Sequence, residues 1–353
     1  MFVVQEELAS EVVAEIIPGA LTEPSQRGIR AYTTNVSAYN LYLKGMFALG
    51  NRFAGPQESI AIFRSAIEED PRYAPAWAGL AHSYFSLAWF SVMPAKAAMP
   101  LAKEAALRAL TLDDTVGQGH AALAMIQAAF EWNWQESEKG FRRAIALQPS
   151  LSLAHHFYAI LCLQPQRRFR EAVACIERAL LINPFDAILA ATATLVYVIA
   201  GDHDAAIRHY ELATEVSPRH PVAYTTMGIA YETRGQLERA ISMYRTACDF
   251  AGRAPVPVSA LGHALAKLGE LTEAKQLLQE LLNSPQRSGF ALTLMYEGLG
   301  DRAAAMKWLR HAIEEREPQS IIAPVDPRLA DLRAGSEFQQ VLEYMNLSQS
   351  ATR

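Results

Sequence analysis

Residues 187–218 read AILAATATLVYVIAGDHDAAIRHYELATEVSP: an apolar run, a Gly-Asp turn, then an amphipathic run ending in Pro. The next 34 residues repeat the plan. Tyr197 recurs as Tyr231, Gly201 as Gly235, Ala206 as Ala240, Tyr210 as Tyr244 and Ala213 as Ala247. Pro184 stands the same distance before Pro218. A fixed period of this length marks an array of helical repeats. One unit is two helices. Gly201 supplies the left-handed backbone angles that a helix end often needs. Asp202 then offers its carboxylate to the free N–H groups of the second helix.

Small residues recur along the chain where the paired helices should cross. Ser59, Ala102, Ser137, Ala172, Ala206, Ala240, Ala274 and Ala305 fill one position. Seven residues later stand Ala66, Ala109, Ala144, Ala179, Ala213, Ala247, Leu281 and Ala312. Between them lie Phe63, Phe141, Ile176, Tyr210, Tyr244, Leu278 and Leu309, with Ala106 the exception. Close packing of two helices wants small side chains at the crossing and bulky ones beside it.

The pattern resembles the tetratricopeptide repeat. Tyr224, Met227, Gly228, Tyr231, Ala240, Tyr244 and Ala247 fit that motif closely, as do Trp77, Leu80, Ala81 and Tyr84. The resemblance covers roughly residues 37–316, as eight units. It implies an all-α, right-handed α-solenoid of helix hairpins. Residues 1–36 read as an N-terminal helix and linker, 37–316 as the array and 317–353 as a C-terminal capping segment.

Residues 3–17 place Val4, Leu8, Val12 and Ile16 on one helix face, and Pro18 and Gly19 stop that helix. The stretch VVQEELASEVVAEI resembles a short helix that precedes such repeats in bacterial multidomain regulators, which carry a winged-helix domain, a kinase or a cyclase upstream. In unit two, FSLAWFSVMPAKAAMP is an insertion, read as a lengthened first helix with a loop; insertions of this kind often map to a binding face. Unit three turns through FEWNWQES, where Trp132 and Trp134 either cover a seam between helices or anchor a partner. At the end, Ser336 and Gln339 have the spacing of a capping box. Phe338, Val341, Leu342 and Met345 share a face, as expected of a helix that covers the last repeat. The V-D-P-R…F-Q-x-x-L run resembles the close of the same bacterial repeat regions.

Apolar residues make up 51% of the 353, enough for a continuous core, and the net charge of −5 argues against broad phosphate binding. Cys162, Cys175 and Cys248 form no C-x-x-C pair and fall within helix patterns as packing residues. No basic, apolar leader opens the chain. The most apolar stretch, residues 187–200, is too short to cross a bilayer. A cytoplasmic location is the expectation, or a periplasmic one if a tether precedes this segment.

Catalytic signatures are missing: no Walker loop, H-E-x-x-H, G-x-S-x-G or kinase H-R-D. Gly117, Gly119 and Ala122 imitate a dinucleotide turn but follow no strand. The nine histidines show no tetrahedral metal spacing; His155 and His156 point about 100° apart on a helix. No enzyme, cofactor or metal is expected.

What remains is the inner wall, which the tetratricopeptide family builds from the first helix of each unit. That register puts His82, Phe85, Met125, His156, Ile160, Leu195, Val198, Thr225, Ile229, Glu232, His263 and Leu294 in a partner-binding groove. They are largely apolar, or His and Thr, whereas the family's carboxylate clamps use Lys, Asn and Arg. The wall would suit an apolar helix or an extended segment, unless the protein fills it itself, as with the helix at residues 3–17. The reading is a protein-interaction scaffold that binds a protein or peptide in signalling. The alternatives are a sensor for a small apolar ligand and a helical-repeat RNA binder, the latter disfavoured by the acidic balance.

Overall fold

A computed structural model describes residues 32–50 and 55–347. The helix and linker read over residues 3–31, and residues 51–54 of the first inter-helix loop, lie outside the described residues. No strand occurs among the described residues.

Eight helix hairpins follow one another. The first four units are α1 (Val36–Gly50) with α2 (Gly55–Glu69), α3 (Ala74–Trp89) with α4 (Ala95–Leu112), α5 (Gly117–Ile126) with α6 (Trp134–Leu147), and α7 (Ser152–Phe157) with α8 (Phe169–Ile182). The last four are α9 (Ala187–Ala200) with α10 (His203–Val216), α11 (Pro221–Thr233) with α12 (Leu237–Ala251), α13 (Pro255–Leu268) with α14 (Leu271–Asn283), and α15 (Gly289–Gly298) with α16 (Arg302–Glu314). Two 3₁₀ turns (Pro318–Ile322 and Pro327–Leu329) and the short helices α17 (Ala330–Arg333) and α18 (Ser336–Tyr344) complete the order.

The local chemistry behaves as the pattern requires. Gly201 has φ +85°, and the Asp202 carboxylate accepts the Ala205 N–H at 3.0 Å. Asp186, Ser288 and Asp301 cap α9, α15 and α16 in the same manner. Every crossing residue is buried, from Ser59 and Ala66 in unit one to Ala305 and Ala312 in unit eight. Gly228 has a packing reason: a Cβ there would come within 2.3 Å of the Tyr244 ring. The insertion in unit two is a first helix ending at Trp89, a tight turn, and a long second helix containing Pro100.

Two features depart from the regular plan. In units three and four the first helix does not stop after α5 and α7 but widens into a π turn, Gln127–Glu131 and Tyr158–Leu163. Each π turn leads to a left-handed residue where units five and eight use glycine: Trp132 at φ 53° and Arg167 at φ 60°. At the C-terminus the capping box does not form. α18 starts one residue earlier than that motif needs, Gly335 is its N-cap, and no side chain caps it.

An alanine at the crossing leaves no room for a larger group. Replacing Ala240, which is fully buried, by Trp should lower unfolding free energy by about 1–3 kcal/mol or more through overpacking. Urea denaturation followed by circular dichroism measures this, and an unchanged midpoint would mean the register is misplaced.

Candidate partner interface

The twelve positions assigned to a groove do lie on first helices, but they do not form an open lining. Phe85, Met125, His156, Val198, Thr225, Ile229, His263 and Leu294 are buried, and His82, Ile160, Leu195 and Glu232 are partly so. In units two to four the side chains converge on Phe157, a residue the sequence reading did not single out. His82 and Phe85 meet its ring edge-on at 5.5 and 6.0 Å, and His156 lies tilted against it at 4.7 Å. Burial in this cluster pulls the His82 pKa down to about 4, so His82 is neutral at pH 7. Met125, Val198, Ile229 and Leu294 belong to the main core. The Thr225 hydroxyl donates within its own helix to Pro221 O at 2.9 Å.

The chain's own C-terminal run lies across this wall. It first meets units two and three. Gln319 donates through Nε2 to Trp89 O and to Ser91 Oγ, and Lys96 pairs with Glu315 at 3.0 Å. Arg316 lays its guanidinium 3.8 Å from the Trp132 ring centroid and donates to Phe130 O at 3.0 Å. It continues past unit four, where Arg167 donates to Pro324 O, and its second 3₁₀ turn then packs on α11 and α15. The run ends back at unit three. Trp134 Nε1 donates to Met345 O at 2.7 Å, Asn346 Nδ2 donates to Trp132 O at 3.3 Å, and the Tyr344 and Trp132 rings meet edge-on at 5.5 Å. α18 also covers the last unit, with Arg310 pairing to Glu337 at 2.8 Å. The two tryptophans therefore anchor a segment, and that segment belongs to the same chain.

The docking seam concentrates backbone strain. Among the described residues six non-glycine residues have positive φ: Ser91, Trp132, Arg167, Arg253, Arg316 and Asn346. All but Arg253 make the contacts just described. Left-handed angles cost a non-glycine residue about 1–3 kcal/mol and persist where surrounding contacts enforce them. Here the enforcing contacts include burial. Ile321, Leu329, Phe338 and Met345 are fully buried, and each such side chain stabilises the fold by roughly 1.5–3 kcal/mol before ordering costs. The run is thus part of the fold.

Units six to eight hold a second, ionic arrangement. His263 lies between two carboxylates, with Nδ1 2.6 Å from Glu232 and Nε2 2.6 Å from Glu297. Both ring nitrogens donate, so the imidazole is charged. Burial opposes that charge, but the two carboxylates outweigh it and hold the pKa above 6.5. Burial would raise Glu297, yet His263 and Lys267 hold its pKa below the ordinary value. Tyr244 donates to Glu232 at 2.6 Å. On the C-terminal run, Arg328 and Asp326 form a buried two-point pair through Nη2 at 2.7 Å and Nε at 3.0 Å. Burial would raise the Asp326 carboxyl, but Arg328 holds it below its usual range.

Beside this network opens a cleft of about 390 Å³, lined by Glu232, Thr233, His263, Lys267, Arg328 and Asp331 among others. Two of the twelve sequence-assigned positions, Glu232 and His263, border it. Arg328 Nη1 is buried and makes no hydrogen bond among the described residues. A hollow of about 540 Å³ over the turns of units five and six, near His203, Asp204 and Arg234, is more open and mostly polar. Among the described residues no group of three or more His, Cys, Asp or Glu side chains could hold a metal, and no helix is long and apolar enough to cross a membrane.

A sequence model of the tetratricopeptide repeat matches residues 221–252, the α11–α12 hairpin. No curated protein sequence matches the chain. Among solved structures, the chain is similar to one of the APC/C hetero-tetramer Cut9-Hcn1. That match has a TM-score of 0.59 at 16% identity, covering 83% of this chain and 54% of that one. An IFIT1 monomeric mutant with Gppp-AAAA matches with a TM-score of 0.58 at 17% identity, covering 84% of this chain and 71% of that one. The pilF protein of Pseudomonas aeruginosa matches with a TM-score of 0.45 at 20% identity, covering 63% and 97%. At these identities the likeness is one of fold.

Two outcomes test the interface. Because the folded-state pKa of His263 is raised, its stabilisation is complete below pH 6.5 and is lost as pH rises through that raised value. The stability gap between wild type and His263→Gln should therefore shrink as denaturation is repeated at increasing pH. A gap that widens would mean His263 is neutral. Arg316→Ala should cost about 1–2 kcal/mol, the value of a partly desolvated cation–π contact, and should quench or shift Trp132 fluorescence. An unaltered spectrum would show that the stacking is absent in solution.

Proposed function

We propose, from the premise that this chain is a tetratricopeptide-repeat protein, that it is an interaction scaffold which holds an extended peptide segment of a protein partner. Its position is the cleft between units six and seven and the C-terminal run. The single observation that carries the reading is Arg328: a buried guanidinium with one nitrogen that has no acceptor among the described residues, in the wall of an open-sided cleft beside Lys267. A buried donor left unpaired costs about 1–3 kcal/mol. A partner's carbonyl or carboxylate that meets this nitrogen as the Arg328 side chain turns toward the cleft removes that cost, so the cleft favours an acceptor-bearing segment. Its volume is within the usual range for a ligand site.

The mechanism is positional rather than chemical. The ionic network fixes the first helices of units six, seven and eight relative to one another, and a preformed site keeps the ordering cost of binding low. The apolar groove positions of units two to five support the wall from behind instead of touching the partner. Lys267 supplies the charge that faces solvent; its side chain is 37% exposed and its ammonium is 3.3 Å from Glu297. The resemblance of the opening and closing runs to bacterial regulators supports a place for this scaffold in such a regulator, downstream of an effector domain.

Extended peptides selected from a display library on the full chain test this. Lys267→Glu should weaken the selected peptides at least about tenfold, the 1.4 kcal/mol equivalent of one lost charge-assisted contact, with the helical circular dichroism unchanged. Peptides that bind Lys267→Glu as tightly as wild type, or tight RNA retention in a low-salt gel shift with no peptide enrichment, would count against the cleft.

A further inference from the structure

Among the described residues the array has an uncovered edge. In the interior units a first helix is packed between its own partner and the second helix of the preceding unit, as α2 packs on α3 and α12 on α13. Thirteen residues of α3 are buried, but only Ala38, Gly45 and Ala48 of α1 are. Val36, Leu43, Met46 and Phe47 are exposed, Phe47 at 86%. Their spacing puts them on one stripe of the helix. Lys44, the one charged residue of α1, borders that stripe. A solenoid normally closes its ends with a polar-faced element, and the described residues provide none here.

We propose that this stripe is the docking site of residues 3–17 of the same chain, acting as an amphipathic helix in the place a preceding unit would take. Val4, Leu8, Val12 and Ile16 form its apolar face, and Glu7, Glu11 and Glu15 run along one edge of that face. A helix of this length is about 22 Å long, the same as α1. Residues 18–31 connect it to Tyr32 and reach at most about 50 Å, enough to run back alongside α1. Charge selects this occupant over a second copy. α1 has a lysine and no acid, so two α1 stripes meeting would bring like charges together, whereas the glutamate edge of residues 3–17 answers Lys44.

Hydrogen exchange on the full chain, with sedimentation velocity on the same samples, tests the assignment. The expected result is a monomer in which the amides of residues 3–17 exchange at least about tenfold slower than unstructured chain. Phe47→Asp and, separately, Leu8→Asp with Val12→Asp should each abolish that protection while units five to eight stay protected. The second variant lies outside the array, so it reports even if Phe47→Asp disturbs unit one. Unprotected residues 3–17 in the wild type, or protection that survives both variants, would overturn the proposal. So would a dimer that Phe47→Asp dissociates, which would give the stripe to a second copy.

Discussion

Everything in this molecule depends on how closely two helices of a hairpin can approach. Serine or alanine at one crossing position, and alanine or one leucine seven residues on, let the backbones meet with Phe63, Phe141 or Tyr244 filling the space beside them. The contact tolerates little volume change because both helices are already buried there. Once it is set in every unit, the hairpins must stack in one direction, and their first helices must share an inner wall. The curvature of that wall is a consequence of small residues, repeated.

A curved wall of apolar first helices is a liability unless something covers it. Here the cover is the C-terminal run, and its attachment is mostly by side chain to backbone. Trp134, Arg316, Gln319 and Asn346 all donate to carbonyl oxygens. Such bonds need carbonyls turned away from helical hydrogen bonding. The π turn of unit three and the left-handed Trp132 that ends it provide two of these carbonyls, Phe130 O and Trp132 O, whereas the left-handed Arg167 of unit four itself donates to Pro324 O on the run. Strain in those residues and purchase for the run are two sides of one arrangement. Farther along, the same run brings Asp326 and Arg328 against the Glu232–His263–Glu297 network, so its two halves are held by different physics: ring stacking and apolar burial at units two to four, paired charge at six to eight.

The site was legible in part. Glu232 and His263 could be placed on the inner wall because the period assigns them to it. Glu297 could not, although it sits two units on from Glu232 in an equivalent position, because an acidic residue on a helix is usually solvated. Trp132 and Trp134 stood out as large aromatics in a turn, but nothing local says whether such rings meet a neighbouring helix, a partner or their own terminus. Phe157 looked like any apolar residue of a first helix. Its role as the meeting point of three predicted positions depends on the tilt between units, which no spacing encodes.

The division follows from range. The sequence alone determined the hairpins, their number, the crossing register and the glycine turns of units five to eight, because each arises from residues within about one period that interact through helix geometry. Only the tertiary structure decided that the inner wall is covered, by which segment, and what stays open. Those contacts join residues as far apart as Trp134 and Met345, and they depend on superhelix curvature summed over several units, in which each unit contributes a rotation too small to read from its own residues.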